Sequence, residues 1–200
     1  MKDTDRPQKI KIIALFGKSG SGKDTILNKI MTHYGRCCHK IVSCTTRPKR
    51  DCEKDQEDYY FISEAQFAEL LLKNLLLEGT FFNGWFYGTP FSALNKDKIN
   101  VGVFNISGIY SLLDNDNLDV IPVLITASDK TRLIRCLSRE QDPNCKEIVR
   151  RFQQDEKDFD DIDFHYQTYS TETEKKDEPY WYPLLFQHII CKWETVDKID

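Results

Sequence analysis

Residues 10–26 read IKIIALFGKSGSGKDTI. The first seven, Ile10 to Phe16, are a nearly unbroken apolar run, the pattern of a strand buried on both faces of a sheet. The next seven, Gly17 to Lys23, fit the pattern G-x-x-x-x-G-K, and Asp24 to Tyr34 reads as a helix. Strand, glycine-rich loop and helix in that order form the setting in which this pattern carries chemistry. The glycines let the backbone turn its N–H groups inward on an anion, and the helix N-terminus adds the positive end of its dipole. Gly17, Ser19, Gly20, Ser21 and Gly22 are thus candidate phosphate-cradling positions, with Lys23 reaching the terminal phosphates of a nucleoside triphosphate. The alternative is a glycine-rich turn that binds nothing.

The motif usually continues with a hydroxyl residue that ligates magnesium. Here Asp24 follows the lysine, with Thr25 behind it. A carboxylate is itself a hard oxygen ligand for magnesium, and it also suits the first turn of a helix. Asp24 and Thr25 are the candidate magnesium-side residues, Thr25 bringing the hydroxyl near the phosphates.

The chain has 200 residues, enough for one domain with small mobile subdomains. It is 40% hydrophobic and 30% charged, an ordinary soluble profile, and its net charge of −4 argues against broad binding to nucleic acid or anionic membranes. No run of about 18 apolar residues is present, so no membrane span is expected. The polar start MKDTDRPQK lacks the apolar stretch of a signal peptide, which makes a cytoplasmic location the expectation. The seven cysteines include no C-x-x-C pair, and they read as free thiols in a reducing compartment.

Beyond the first helix, Ser43 to Tyr60 is polar and rich in both charges. Ser63 and Gln66 form a capping box for a helix over Glu64 to Asn74, with Phe67, Leu70 and Leu71 on one face. Leu75 to Phe82, then Asn83-Gly84, then Trp85-Phe86-Tyr87 predicts a hairpin ended by Gly88-Thr89-Pro90. A short helix is expected around Phe91 to Asp97. Ile99 to Ile106 and Val120 to Thr126 read as buried strands, the second with Pro122 near its start or at an edge. A short helix fits Gly108 to Leu113. Ser128 or Asp129 caps a basic helix over Lys130 to Arg139, and a further helix spans about Cys145 to Asp158. The acidic, aromatic stretch Asp160 to Pro183 reads as an inserted loop, Leu184 to Cys191 as a last strand and Glu194 to Ile199 as a closing helix. Alternating strands and helices opened by a phosphate loop indicate an α/β fold with a three-layer parallel-sheet core.

Arg47 and Arg50 lie three apart with Lys49 between them. With the phenols of Tyr59 and Tyr87 they suit a phosphate monoester dianion. The same composition equally describes a solvated mixed-charge loop.

At this point the sequence resembles the guanylate kinase family. The resemblance rests on GKSGSGKDTI (17–26), on SCTTRPKR (43–50) with Glu53, and on DYYF (58–61). Glu78 and GWFYGTP (84–90) extend it, in order and with similar spacing. The second half agrees in outline, Arg132, Arg135, Arg139 and the pair Arg150-Arg151 falling where the family's lid carries arginines. The resemblance implies a P-loop NTPase core at about 8–42, 98–130 and 160–200. It also implies a nucleoside-monophosphate subdomain of mixed and antiparallel strands at about 43–97, and a helical lid at about 131–158. It implies transfer of the ATP γ-phosphoryl group to GMP or dGMP with Mg2+, Lys23, Arg47, Arg139 and Arg151 being the catalytic set. Ser43, Arg47, Arg50, Tyr59, Glu78, Tyr87, Thr89 and Ser107 are the implied GMP contacts, Glu78 accepting from guanine N1 and N2. Arg135 reads as a weaker candidate on a solvated basic face. No nucleic acid, membrane or obligate protein partner is implied.

The chain departs from the family in three places. Asn105 and Ser107 stand where members commonly carry acidic residues, and Cys191 falls where an asparagine lies near the adenine in the last strand. The alternatives are a kinase of another nucleoside monophosphate and a non-catalytic module. The latter class typically loses the phosphate loop, which is intact here.

Overall fold

The computed structural model describes residues 8–49, 53–82, 84–139, 141–172 and 183–196. The apolar run at Ile10–Phe16 is β1, and it lies at the centre of a parallel five-stranded sheet. Hydrogen bonds flank it on both edges, and apolar side chains cover both of its faces beyond Lys11. That is why five of its seven residues, Ile12 to Phe16, are fully buried. The helix that follows the loop, α1 (Lys23–Tyr34), leads to β2 (Cys38–Lys40) on the sheet's edge.

Residues 44–90 form a second, four-stranded sheet: β3 (Cys44–Thr45), β4 (Tyr60–Phe61), β5 (Leu76–Phe82) and β6 (Trp85–Pro90), in the order β4-β3-β6-β5. It is mixed, with β3 parallel to β4 and antiparallel to β6. Between β4 and β5 lies α2 (Glu64–Leu72), opened by the predicted capping box of Ser63 and Gln66. The helix stops two residues short of the expected end. Of its expected apolar face only Phe67 is buried, while Leu71 is exposed. The hairpin of β5 and β6 forms as read. Asn83 of its turn lies outside the described residues, and β6 runs on through Gly88, Thr89 and Pro90 instead of ending there. The helix expected over Phe91 to Asp97 is one 3-10 turn, Phe91–Ala93.

The chain then returns to the main sheet as β7 (Ile99–Val103), which ends three residues before the expected boundary. Asn105 caps α3 (Ile106–Leu113) through its side chain, so Ile106 opens a helix instead of closing a strand. In β8 (Leu118–Thr126) Pro122 pairs with Ala14, and the partner on the other flank begins only at Val123. The strand is therefore still an edge at its proline, which spares the sheet a lost ladder bond. Two helices follow, α4 (Asp129–Leu137) capped by Ser128 and α5 (Cys145–Asp158) capped by Asn144.

Two expectations near the end are corrected. Within the stretch expected as an inserted loop, Gln167–Ser170 is β9, which completes the order β2-β7-β1-β8-β9. Leu184 to Cys191 is helix, not strand: it belongs to α6 (Pro183–Val196), which also absorbs the start of the expected closing helix. Phe186, Ile189, Ile190 and Trp193 are its buried residues, a spacing of three, one and three that only a helix brings to one face. Residues 173–182 and 197–200 of these expectations lie outside the described residues.

Alternation along β1 divides the core. Ile13 and Leu15 pack with Ile26, Leu27 and Ile30 of α1 and with the apolar face of α6. Ile12, Ala14 and Phe16 pack on the other side with Ile109 and Leu112 of α3. Helix, sheet, helix is the three-layer arrangement expected. Each fully buried side chain of this kind contributes roughly 1.5–3 kcal/mol, so α1 is fixed to the sheet directly behind the loop that it opens. Among the described residues no helix is long and apolar enough to cross a membrane, and Cys37, Cys44, Cys136 and Cys145 are free thiols. Cys52 lies outside the described residues.

Candidate active site

The loop Gly17–Gly22 joins the C-terminal end of β1 to the N-terminus of α1, the end of a parallel sheet at which ligands bind. Gly20 has φ +77°, and a Cβ there would fall 2.5 Å from the Arg132 carbonyl oxygen, so only glycine allows both the turn and the approach of α4. Lys23 Nζ donates to the carbonyls of Gly17 at 2.7 Å and Lys18 at 3.2 Å, lying back across the mouth of the loop. Burial holds its ammonium below the ordinary lysine value, with the carboxylates of Asp24 and Asp155 acting in the opposite direction. The Ser21 hydroxyl is buried without a hydrogen-bond partner. A buried polar group left unpaired costs about 1–3 kcal/mol, a cost that an anionic oxygen in the loop removes. The loop therefore fits a phosphate group.

Asp24 and Thr25, on the exposed side of α1's first turn, fit a magnesium ion to a limited degree. That ion keeps several waters and takes one or two carboxylates alongside phosphate oxygens, and Asp24 offers one. Among the described residues no three acidic, histidine or cysteine side chains cluster as a metal cage. Arg139, just past α4, brings its guanidinium to 3.9 Å from Asp24.

Arg135 is not a solvated basic residue. Its guanidinium donates to Ser21 O at 3.2 Å and to Thr171 Oγ1 at 2.8 Å, which pins α4 to the loop. Thr171, the buried residue directly after β9, sets its hydroxyl 2.9 Å from Ser21 O. Cys191, read at the family's asparagine position in a last strand, lies instead on α6 and is exposed.

The second sheet presents a chain of polar groups. Ser43 Oγ lies 2.8 Å from Thr89 Oγ1, and Thr89 donates onward to Glu78 Oε1 at 2.6 Å. Thr89 and Glu78 are cross-strand partners of β6 and β5. Burial raises the Glu78 pKa above the ordinary glutamate value, and the Thr89 hydrogen bond offsets part of that. Glu78 also abuts the first turn of α3: a Cβ at Gly108 would stand 3.4 Å from Oε2. That glycine carries no signal of its own in a single sequence, and the sequence reading missed it. Ser107 is exposed on the same turn and donates to Asn105 Oδ1, the acceptor that caps the helix.

Arg47 is held as a fork on Glu53, NH1 to Oε2 at 3.0 Å and NH2 to Oε1 at 2.8 Å. Its guanidinium packs on the rings of Tyr59 and Phe61, at 5.8 and 5.6 Å. Tyr59 meets Tyr87 edge to face at 6.1 Å. Burial first, and then the Asp24 carboxylate, push the Tyr59 phenol up to about 12, which puts this group within electrostatic reach of the phosphate loop. Arg50 lies outside the described residues. Arg151 is not at the loop: its Nε donates to Glu147 on its own helix at 2.8 Å, and Arg150 forks onto the same carboxylate. The two guanidiniums hold the Glu147 pKa down to about 2.

A phosphate loop opening the central strand of a parallel sheet, beside a separate small sheet bearing a carboxylate, two hydroxyls and an arginine, defines a P-loop nucleotide-binding α/β protein with a second polar pocket. Residues 9–176 match the family described as guanylate kinase, and the chain belongs to that family. A guanylate kinase of Prochlorococcus marinus (strain MIT 9312) is 41% identical over 92 residues, 46% of this chain and 49% of that protein. The chain thus spans about half the length of this curated relative. A guanylate kinase of Mycoplasma genitalium is 27% identical over 170 residues, covering 82% of this chain and 71% of its own. The crystal structure of guanylate kinase from Anaplasma phagocytophilum matches 82% of this chain and 79% of its own, with a TM-score of 0.57 and 25% identity.

Proposed function

We propose that the chain transfers the γ-phosphoryl group of ATP to GMP or dGMP. The observation that carries this reading is the Ser43–Thr89–Glu78 chain, in a chain whose phosphate loop keeps its lysine. Guanine offers an acceptor at O6 and donors at N1 and N2. A carboxylate takes both donors and a hydroxyl serves O6, a pairing that adenine cannot make. Arg47, steadied by Glu53, Tyr59 and Tyr87 present the acceptor phosphate, joined by Arg50. Lys23 leaves the carbonyls of Gly17 and Lys18 for the β- and γ-phosphates, joined there by the N–H groups of the loop.

Asp24 and Thr25 would hold magnesium beside the phosphates, where it would supply neutralisation of charge on the transferring group. Positioning and electrostatics account for the rest, since phosphoryl transfer asks little covalent chemistry of a protein. The acceptor is already anionic near neutral pH, so no base is needed. Arg139, whose guanidinium lies 3.9 Å from Asp24, would meet the phosphates from the lid. Arg151 must first exchange Glu147 for them, so closure of a lid over 131–158 and breakage of that pair are one event. Closure also excludes water, the competing acceptor.

One observation favours a second reading. Asn105 caps α3 and Ser107 adds only a hydroxyl, so neither brings charge to the base, which would suit a kinase of another nucleoside monophosphate. A panel of GMP, dGMP, AMP, UMP and dTMP with ATP separates the two readings. GMP and dGMP as the best acceptors supports the first, and either one ranking poorest contradicts it.

A further inference from the structure

We propose that Arg132 and Asp155 are positioning residues for the transfer, holding the two peptide groups on either side of the Ser19 Cα and so fixing the shape of the phosphate loop against the lid. This rests on the reading of that loop given above. Arg132 Nε donates to Ser19 O at 2.9 Å. Asp155 Oδ2 accepts from Ser19 N–H at 2.7 Å, and its Oδ1 lies 3.3 Å from Ser19 Oγ. The ring of bonds closes where Arg132 NH2 meets Asp155 Oδ2 at 2.8 Å. Arg132 NH1 donates to exposed Asp129 at 2.6 Å, and the Phe152 ring lies 4.5 Å from the guanidinium carbon. The next residue of α5 repeats the device, Glu156 accepting from Lys18 at 2.6 Å. Two successive carboxylates of the helix thus grip two successive residues of the loop.

Arg132 is 1% exposed, which makes it the largest fully buried side chain among the described residues. Stability alone does not account for such a pair. Buried ion pairs replaced by apolar residues of similar volume are often neutral or stabilising. What an apolar replacement cannot reproduce is a pair of directional bonds to the two peptide groups that flank one Cα. Ser19 directly precedes Gly20, where the loop turns left-handed. Its orientation sets those of the N–H groups that follow, and donors fixed before the reaction need no reorganisation during it. Asp155 also stands among the carboxylates that counter the burial of Lys23.

The test is steady-state kinetics with ATP and GMP, beside thermal melts, on the full chain. In Arg132→Met/Asp155→Leu both charges go together, so no lone charge is left buried. The expected result is a Tm near that of the unaltered protein, a KM for GMP within about twofold, and kcat/KM for ATP lower by about 10²-fold, the scale of a small misplacement. An unchanged kcat/KM for ATP, or an equal rise in KM for GMP, overturns the proposal. Two single variants serve if the double variant does not fold. Asp155→Asn keeps an acceptor for Ser19 N–H and Asp155→Ala does not, so Asn is expected to retain clearly more activity, and equal losses overturn the proposal. If the unaltered protein phosphorylates no nucleoside monophosphate, the functional reading fails; affinity for a fluorescent N-methylanthraniloyl ATP then reads the same order of variants.

Discussion

Thr89 Oγ1 donates to Glu78 Oε1 at 2.6 Å across the β5–β6 pair, and no cation is bonded to that half-buried carboxylate among the described contacts. Charge on Glu78 is therefore costly in the folded protein. Its pKa stands above the unfolded value, so the acid form favours folding. The advantage is fully present below the unfolded pKa and lost as pH rises through the folded one. Glu78→Gln is expected to raise Tm at pH 7–8 and to make no difference below about pH 4. The same substitution lowers kcat/KM for GMP much more than it raises KM for ATP, and equal effects on both nucleotides would count against base reading by Glu78. In the unaltered protein, kcat/KM for GMP falls as pH drops through the raised Glu78 pKa, since the acid form cannot accept from both guanine donors.

Lys23→Ala is expected to lower kcat by about 10²–10³ or more, in the range of a lost electrostatic donor. Far-UV circular dichroism should be unchanged, because the ammonium contacts only loop carbonyls. Retained turnover would remove the loop from the mechanism.

Arg139 is already 3.9 Å from Asp24 and half free in solvent. Arg139→Ala should reduce kcat with little change in KM for either nucleotide, by up to about 10³-fold, at the low end for arginines that meet transferring phosphates. Arg150→Ala, which removes a fork onto Glu147 on its own helix, should stay within about threefold of the unaltered rate. Similar losses for both would mean that helix integrity is being measured.

Glu147 titrates near 2 in the folded protein, against an ordinary value of 4.5. The sign is opposite to that for Glu78: stability from the Arg150 and Arg151 pairs is present above pH 4.5 and disappears as pH falls toward 2. The pairs are partly exposed, so about 0.3–0.5 kcal/mol each is expected. Urea melts of Glu147→Gln should fall below the unaltered protein at pH 7 and converge with it near pH 2. A gap that persists at pH 2 would place the effect outside ionisation.

The features legible in the sequence are those with a local cause. An apolar run without polar interruption gave β1 its central place, glycines at fixed offsets gave the loop, and the Ser63–Gln66 box gave the start of α2. β9 was hidden because only Tyr169 of its four residues is buried, so no alternation marks it. In α6 the run LLFQHIIC looks continuous, and its helical period emerges only when Trp193 is counted with Phe186, Ile189 and Ile190. Arg132 and Asp155 were out of reach for another reason. They meet only after α4 and α5 pack on the loop, and a buried arginine looks like any other in a basic helix. A signal does exist: Leu133 and Ile134 beside it are exposed, 41% and 53%, so α4 turns a charged side inward. The grouping of Ser43, Glu78 and Thr89 was suggested only by the family resemblance, since they are separated along the chain and meet only at the second sheet.

The ratio of kcat/KM for GMP to that for AMP, with saturating ATP and Mg2+, tests the account most directly. A pocket built on the Glu78–Thr89–Ser43 chain leaves buried groups unpaired when adenine enters. It therefore predicts a ratio on the order of 10⁴ or more. A ratio near one, or a preference for AMP, would contradict it.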